Sequence, residues 1–287
     1  MHTLRSAPDI ALSTGSAIPL CQSCACRSHC LLGRAPWEVQ RACGLVERRF
    51  RKGERLTLEG RAVPVLQIVK IGTVLLHRRG TDGQDLPVGM AGCGQALGTT
   101  PLFAAPMALS ATAVADGRLC EMPAAALTAG HGGPALTGLL HALSQEHARA
   151  QAQLADWSRL LRVRRATARL AGALLLLADL QRSSLVRLPT QALLASLLAT
   201  THETVARGLA HIERAGGLAR QDRWHCAIAR PRLAGLARGA ETPVSAAQAM
   251  AMHPAPAART TGLAAALAQP SFSNACTSAA SACAPLP

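Results

Sequence analysis

Four cysteines lie within ten residues near the start of the chain, at Cys21, Cys24, Cys26 and Cys30. Neighbouring thiolates repel one another and oxidise readily, so such a cluster usually serves a metal centre or a disulfide. The chain has ten cysteines, and its first twenty residues lack the compact apolar run of a secretory signal peptide. We therefore expect reduced thiols or a bound metal in a cytoplasmic protein, and not a disulfide framework.

The charge of the chain favours an anionic partner. The formal net charge is +14, and it is carried almost entirely by arginine, since Lys52 and Lys70 are the only lysines. The planar guanidinium group binds phosphate in a fork, which suits nucleic acid. A nucleotide-composition bias that favours Ala, Gly and Arg explains the same count, so charge supports this partner without establishing it. No apolar run approaches the roughly 20 residues of a membrane span, so we expect no membrane partner.

Composition and periodicity divide the chain into five segments. They are a cysteine-rich arm (1–40), a β-barrel sensor domain (41–130), a long dimerisation helix (131–162), a winged helix-turn-helix domain (163–238) and a disordered tail (239–287). The tail is predicted from its Ala, Pro, Ser and Thr content and its near lack of charge.

The second segment consists of short apolar runs separated by turn formers. Residues 65–69 and 72–77 are such runs, and residues 80–83 (Gly-Thr-Asp-Gly) form a turn signal. Strands at close spacing with glycine between them predict a small antiparallel barrel or jelly roll.

The third segment has helical periodicity. Its apolar positions recur at steps of three and four residues, at Leu136, Leu139, Leu140, Leu143, His147, Ala150 and Leu154. A long helix with a narrow apolar stripe suits a two-helix seam between subunits, and we expect a homodimer. Packing of the helix on its own barrel would give the same pattern.

The fourth segment contains a helix-turn-helix pattern between Pro189 and Gly217. Thr190 can cap the first helix, and Thr200 with Glu203 has the spacing of a capping box for the second. The first helix has an apolar face made of Leu193, Leu194, Leu197 and Leu198. The second helix is expected to bury Val205, Leu209 and Ile212 on one side. It is expected to end at the pair Gly216 and Gly217. Residues 218–228 predict a hairpin wing.

The N-terminal turns of the second helix are the part that enters the major groove in this motif. The candidate DNA-binding residues there are Thr201, His202, Glu203, Thr204, Ala206 and Arg207. Arginine suits the O6 and N7 acceptors of guanine, and glutamate suits the amino group of cytosine. A capping role for Glu203 and a solvated position for Arg207 are the simpler alternatives for each residue alone.

Residues 200–207, Thr-Thr-His-Glu-Thr-Val-Ala-Arg, resemble the recognition helix of the Crp/Fnr family of bacterial transcription regulators. The resemblance implies an α+β fold: an N-terminal double-stranded β-helix (a jelly roll like cyclic-nucleotide-binding domains), a long dimerisation helix and a C-terminal winged helix-turn-helix. It also implies double-stranded DNA with a TGA-type palindromic site, a second copy of the chain and RNA polymerase as partners. Three residues depart from the family pattern, namely Leu193, Ala199 and Ala206, which stand for an acidic residue, a glycine and a serine.

Within that family, the cysteine arm resembles that of Fnr-type regulators. The spacing Cys21-x2-Cys24-x5-Cys30 matches three ligands of their [4Fe-4S] cluster, and Cys120-Glu-Met-Pro matches the setting of the fourth. The resemblance implies that these four cysteines hold a cluster, that the cluster-bound form is the dimer that binds DNA, and that oxygen disables it. An enzyme is not expected.

Several alternatives stay open at this stage. Zinc bound by Cys21, Cys24, Cys26 and Cys30, or a thiol-based redox regulator without a cluster, would use the same arm. Cys26 is either an alternative ligand or, as we favour, a spare thiol. Cys43, Cys93 and Cys226 are interpreted as buried small hydrophobes. No cyclic nucleotide is expected, because residues 108–113 lack the arginine that would pair with its phosphate.

Overall fold

The computed structural model describes residues 21–35, 40, 44–100, 105–125 and 134–239, all within one compact unit that spans Met1–Met252. The first twenty residues of the predicted arm, Cys43 and the predicted disordered tail from residue 240 onward lie outside the described residues.

Residues 46–123 form two facing antiparallel sheets. The strands are β1 (Val46–Phe50), β2 (Arg55–Thr57), β3 (Val65–Ile71), β4 (Val74–Arg79), β5 (Asp85–Ala91), β6 (Ser110–Ala113) and β7 (Gly117–Pro123). One sheet has the order β1-β7-β3, and the other has the order β2-β6-β4-β5. The predicted jelly-roll layout is confirmed as a two-sheet sandwich, and the described strands do not close into a barrel.

The sheet β1-β7-β3 is buried on both faces. Its inner face contributes Val69 and Leu119 to a core with the second sheet, and these two residues are register partners. Its outer face carries Ile68 and Cys120, which are also register partners, together with Leu66 and Met122. Four consecutive residues of β3 are therefore buried, which explains why this strand is mostly apolar and does not alternate; the buried polar residue among them, Gln67, donates to Glu121.

The cysteine arm covers that outer face. It ends in a short helix, α1 (Leu31–Arg34), whose two leucines are almost fully buried. Leu31 and Leu32 belong to one apolar cluster with Leu66, Ile68 and Met122 of the sheet. Gly33 packs so closely that an added Cβ would lie 2.3 Å from the carbonyl oxygen of Arg27. The arm is thus a packed layer of the sensor domain.

The long helix α2 (Pro134–Leu161) lies against the arm and the sandwich. Ala142 and Leu143 join the apolar cluster of the arm, and Trp157 is buried further along the helix. Part of the predicted dimer stripe is therefore packed within the chain: Leu143 is buried, whereas Leu140 is 51% exposed. The side chains of Leu136 and Leu139 lie outside the described residues.

Residues 166–237 form the predicted winged helix-turn-helix domain. Its elements are α3 (Ala166–Gln181), β8 (Leu185–Arg187), α4 (Gln191–Leu197), α5 (His202–Arg214), β9 (Leu218–Arg220), β10 (His225–Ile228) and α6 (Arg230–Ala237). The strands form a sheet of order β8-β10-β9, and the hairpin of β9 and β10 is the predicted wing. Leu174, Leu177 and Ile212 are fully buried at the centre. Among the described helices, none is long and apolar enough to cross a bilayer.

The turn between α4 and α5 contains an alanine in a backbone conformation that is unfavourable for most residues other than glycine. Ala199 has φ +47°, in the left-handed region. The methyl group of an L-residue crowds the following carbonyl oxygen there, at a cost of roughly 1–2 kcal/mol that glycine avoids. The departure from the family pattern at this position is therefore a destabilising one.

Replacing Ala199 with glycine should stabilise the DNA-binding domain by about 1 kcal/mol, since relief of the left-handed strain exceeds the added entropy of the unfolded chain. Urea unfolding followed by circular dichroism would measure it. Ala148→Gly, on an exposed position of α2, is the matched control and should destabilise by about 1 kcal/mol. Equal effects of both changes would contradict the strain argument.

The packing of Gly33 against Arg27 leads to a second expectation. Gly33→Ala should displace the arm, because its Cβ cannot occupy the position of the Arg27 carbonyl oxygen. Trypsin cleavage after the exposed Arg27 should become roughly tenfold faster, since local opening controls such cleavage. Gly138→Ala, where an added Cβ meets no atom within 4 Å, should leave the rate unchanged. An unchanged rate in Gly33→Ala would show that the arm tolerates the methyl group.

Candidate metal centre and nucleic-acid interface

The four predicted cluster ligands lie around one cavity. Cys21, Cys24, Cys30 and Cys120 all line a space of about 20 Å³ between the arm and the outer face of the sheet. Ile68 and Lys70 of β3 complete its floor. Residues separated by about a hundred positions in sequence are thus brought together around one cavity.

Different elements fix the two sides of this cavity. Cys120 lies on the central strand β7, where its register partners are Glu47 of β1 and Ile68 of β3, so its backbone position is rigid. The arm cysteines are placed by consecutive turns, in which the Arg27 N–H donates to the Cys24 carbonyl at 3.0 Å and the Cys30 N–H donates to the Cys26 carbonyl at 2.9 Å. The arm side is therefore the adjustable one.

Burial and the neighbouring thiols keep the Cys30 and Cys120 thiols protonated. Burial raises the pKa of the Cys30 thiol to about 11, and the nearby Cys21 and Cys24 thiols also raise it. Burial likewise raises the pKa of Cys120 to about 12, followed by repulsion from Cys30, while Lys70 acts in the opposite direction. Thiols in this state ionise only when a cation replaces their protons, which couples metal binding to proton release.

Lys70 is a member of the site that sequence reasoning missed. Its ammonium group is 2.5 Å from one carboxylate oxygen of Glu47, and the other carboxylate oxygen accepts from Arg118 at 3.0 Å. The hydrogen bond to Glu47 is the main cause that raises the pKa of Lys70, and the thiols of Cys24 and Cys120 add to it. A positive charge thus stands beside the four cysteines, where it complements anionic sulfur. The sequence signal that could have indicated a special role for Lys70 is that it is one of only two lysines in the chain.

Cys26 and Cys93 form a disulfide bond, with their Cα atoms 6.0 Å apart. This corrects two sequence interpretations, the spare thiol at Cys26 and the buried hydrophobe at Cys93. The bond joins the arm to the loop after β5, and Cys93 is half-buried there. The interpretation of Cys226 as a buried small residue is confirmed, since 1% of it is exposed.

Within the described residues, no group of three or more His, Cys, Asp or Glu side chains is arranged tightly enough, as it stands, to hold a single metal ion. The four cavity cysteines surround a shared space and do not meet at one point.

A second cavity, of about 180 Å³, lies between the sandwich and α2. Its described lining is mostly apolar, with Leu97, Met107 and Leu154 among its members, and His147 is the titratable side chain in it. No aspartate, glutamate, lysine or arginine occurs in that described lining. The expectation that no cyclic nucleotide binds stays a prediction.

The predicted recognition helix α5 presents three of its predicted contact residues to solvent. His202, Glu203 and Arg207 are exposed, as is the capping residue Thr201, whereas Thr204 and Ala206 are half-buried. Thr201 caps the helix, because its hydroxyl oxygen accepts from the Thr204 N–H at 3.2 Å. The predicted capping box of Thr200 and Glu203 is therefore wrong by one residue. The cap predicted at Thr190 is confirmed, since its hydroxyl accepts from the Leu193 N–H.

Glu203 and Arg207 form an ion pair along the exposed face of α5, with a nitrogen–oxygen distance of 2.7 Å. The two predicted base readers are therefore paired with each other on one exposed face of the helix. Packing sets the orientation of the helix: an added Cβ on Gly208 would lie 2.9 Å from Leu170 of α3, and Val205 and Leu209 are buried below it.

The wing carries positive charge and an aromatic side chain. Asp222 shapes its tip by accepting from the N–H groups of Trp224 at 2.6 Å and His225 at 2.8 Å. The same hydrogen bonds lower the pKa of Asp222 to about 2. The centroid of the Trp224 ring lies 4.9 Å from the guanidinium carbon of Arg223 and 5.8 Å from the ammonium nitrogen of Lys52 in the sensor domain.

Comparison with known proteins agrees with this architecture. Residues 47–131 match the family model of the cyclic nucleotide-binding domain, and residues 168–238 match that of the Crp-like helix-turn-helix domain. No curated protein matches the chain in sequence.

Solved structures of similar fold include FixK2 from Bradyrhizobium japonicum, with 21% identity, a TM-score of 0.58 and coverage of 70% of this chain and 99% of that one. TTHB099, a transcriptional regulator of the CRP family from Thermus thermophilus, has 22% identity, a TM-score of 0.53 and coverage of 67% and 96%. TTHA1359, a CRP/FNR-family regulator from the same organism, has 22% identity, a TM-score of 0.51 and coverage of 67% and 98%.

The two matched domains follow one another in this chain, and the solved regulators have a similar fold. The chain therefore belongs to the Crp/Fnr family and is a DNA-binding transcription regulator.

Proposed function

We propose that this regulator responds to oxygen through a [4Fe-4S] cluster held by Cys21, Cys24, Cys30 and Cys120. The observation that carries the proposal is the convergence of these four side chains on one cavity. Four cysteine thiolates are the usual ligand set of such clusters, and the charge of Lys70 beside them complements the anionic sulfur.

The four cysteine sulfurs are a suitable donor set for the cluster. The cavity is too small for a cluster as it stands, so the arm must move outward to admit one. A space of about 20 Å³ is comparable to one water molecule, and a cube of iron and sulfide is larger. The adjustable side is the arm, because Cys120 is fixed between two strands. A cluster, when bound, supplies an oxygen-sensitive link between the arm and β7.

The arm can transmit its position to the rest of the molecule. It packs on Ala142 and Leu143 of α2, and Arg34 donates to the Gln145 side chain at 3.4 Å. Leu140, three residues before Leu143 on the same helix, is exposed, and we propose that it meets a second copy of the chain. Loss of the link would release the arm from α2 and weaken the dimer, which is a switch by order and disorder.

The dimer is the form that we expect to bind DNA. Glu203 and Arg207 read base edges of a TGA-type half-site, with Thr201, His202 and Thr204 near the backbone or outer bases and Ala206 facing the groove. Two half-sites lie about one helical turn apart on a palindrome. RNA polymerase is the expected partner at the promoter.

Anaerobic purification followed by iron and sulfide analysis tests the cluster. We expect about four iron and four sulfide per chain, an absorption that bleaches in air, and loss of the dimer at the same time. Cys120→Ser should lose the iron, because β7 then lacks its ligand. Cys226→Ala, which alters a cysteine outside the cavity, should retain it. Zinc without sulfide and no response to air would instead support the zinc- or thiol-based alternative.

Arg207→Ala tests base reading. The change should cost roughly 1–3 kcal/mol in binding to the specific site and much less on random duplex DNA, since a base contact is lost and most phosphate contacts stay. Fluorescence anisotropy with both duplexes at one salt concentration would measure it. Arg78→Ala, the same change of charge on the sensor domain, is the control. Equal losses on both duplexes would remove Arg207 from base readout.

A further inference from the structure

The disulfide between Cys26 and Cys93 joins two segments that the proposed cluster does not link. We propose that Cys26 and Cys93 are a reversible thiol–disulfide pair, a second redox site that locks the arm to the sensor-domain loop after β5, which contacts α3 of the DNA-binding domain. The pair uses none of the four cavity cysteines, so its chemistry goes beyond the proposed function and does not depend on it.

The loop that carries Cys93 is packed between the arm and α3. Its Cys93 N–H donates to the carbonyl oxygen of Leu180, near the C-terminal end of α3, at 3.0 Å. An added Cβ on Gly92 would lie 2.5 Å from that same oxygen, and one on Gly94 would lie 3.1 Å from the backbone of His29 in the arm. A covalent bond at Cys93 therefore couples the arm to a loop that already contacts the DNA-binding domain.

Cys26 lies at the boundary between two spaces. It lines the cavity of the four cysteines, and it also lines an open groove of about 590 Å³ between the two domains. Cys93 lines the same groove. Cys93 is half-buried and Cys26 is 4% exposed, so a small reagent in the groove reaches the bond from the Cys93 side.

The charge of the groove indicates which reagents it admits. Its described lining includes Lys52, Lys70, Arg182 and Arg187, and Asp116 is the single acidic residue in it. Such a lining attracts small anions. We infer that the partner in exchange is a low-molecular-weight thiol or disulfide that carries carboxylates.

The exchange is balanced by that partner. One protein thiolate attacks the small disulfide, forms a mixed disulfide and releases one small thiol. The second protein thiolate then attacks the mixed disulfide, forms the bond between Cys26 and Cys93, and releases the other small thiol. The protein loses two electrons and two protons, and the small disulfide gains them. Two small thiols reverse the reaction.

A redox role is also the usual one for a disulfide in a reducing compartment, such as the cytoplasm that the sequence predicts. Disulfides there are mostly transient and either catalytic or redox-sensing. The two cysteines are 67 positions apart in sequence. The bond therefore closes a long loop that spans a large part of the sensor domain, and not a local turn.

The test uses the full-length chain prepared without iron, so that the cluster plays no part. The protein is treated with oxidised glutathione or with dithiothreitol, its remaining thiols are alkylated, and its peptides are mapped by mass spectrometry without reduction. We expect the Cys26 and Cys93 peptides to be linked after oxidation and both to be alkylated after reduction. Alkylation of both residues under oxidation, or links to other cysteines instead, would overturn the proposal.

A second readout follows the arm. Trypsin cleavage after Arg27 should be at least about fivefold slower in the oxidised than in the reduced chain, because the bond suppresses local opening. Cys26→Ser and Cys93→Ser should abolish this difference. Cys120→Ser, which removes a proposed cluster ligand, should retain it. Equal cleavage rates in the oxidised and reduced wild-type chain would contradict the locking role, whatever the iron analysis shows.

Discussion

The sensor domain depends on covering the outer face of the sheet β1-β7-β3. Leu66, Ile68 and Met122 on that face are fully or almost fully buried, and each such side chain loses roughly 1.5–3 kcal/mol if it is left in water. The arm supplies Leu31 and Leu32 as the cover. Because the arm is required for burial, its cysteines are held within reach of Cys120 before any metal is considered. The packing of the domain and the assembly of the site are thus one event.

Local sequence signals predicted the elements well, and long-range contacts explain what they missed. The runs in β3 and β4, the turn at residues 80–83 and the cap at Thr190 are all set by neighbours in sequence, and each is confirmed. The cap of α5 falls at Thr201 because two adjacent threonines offer the same hydroxyl and only the path of the preceding turn selects between them. The stripe on α2 identified an apolar face, but periodicity does not say what covers it, and Leu143 packs inside the chain.

In the candidate site, too, local sequence signals could be predicted and long-range contacts could not. The spacing of the arm cysteines is local, and the match at Cys120 came from a resemblance, so both could be predicted. The roles of Lys70 and Cys93 could not, because each depends on where the arm lies across β3 and the loop after β5. Cys26 was interpreted as spare for this reason: within the arm it has no partner, and its partner lies 67 positions away.

The ion pair between Glu203 and Arg207 has a consequence for how the helix searches DNA. A phosphate can satisfy the guanidinium group alone, but it then brings a negative charge close to the carboxylate, which repels it. Only a neighbouring acceptor and donor, such as the edges of successive base pairs, satisfy both ends of the pair at once. In the proposed mode of base reading, the helix would reject the backbone by repulsion as well as select bases by attraction. A strongly basic protein gains from this device, because the rest of its surface binds any duplex.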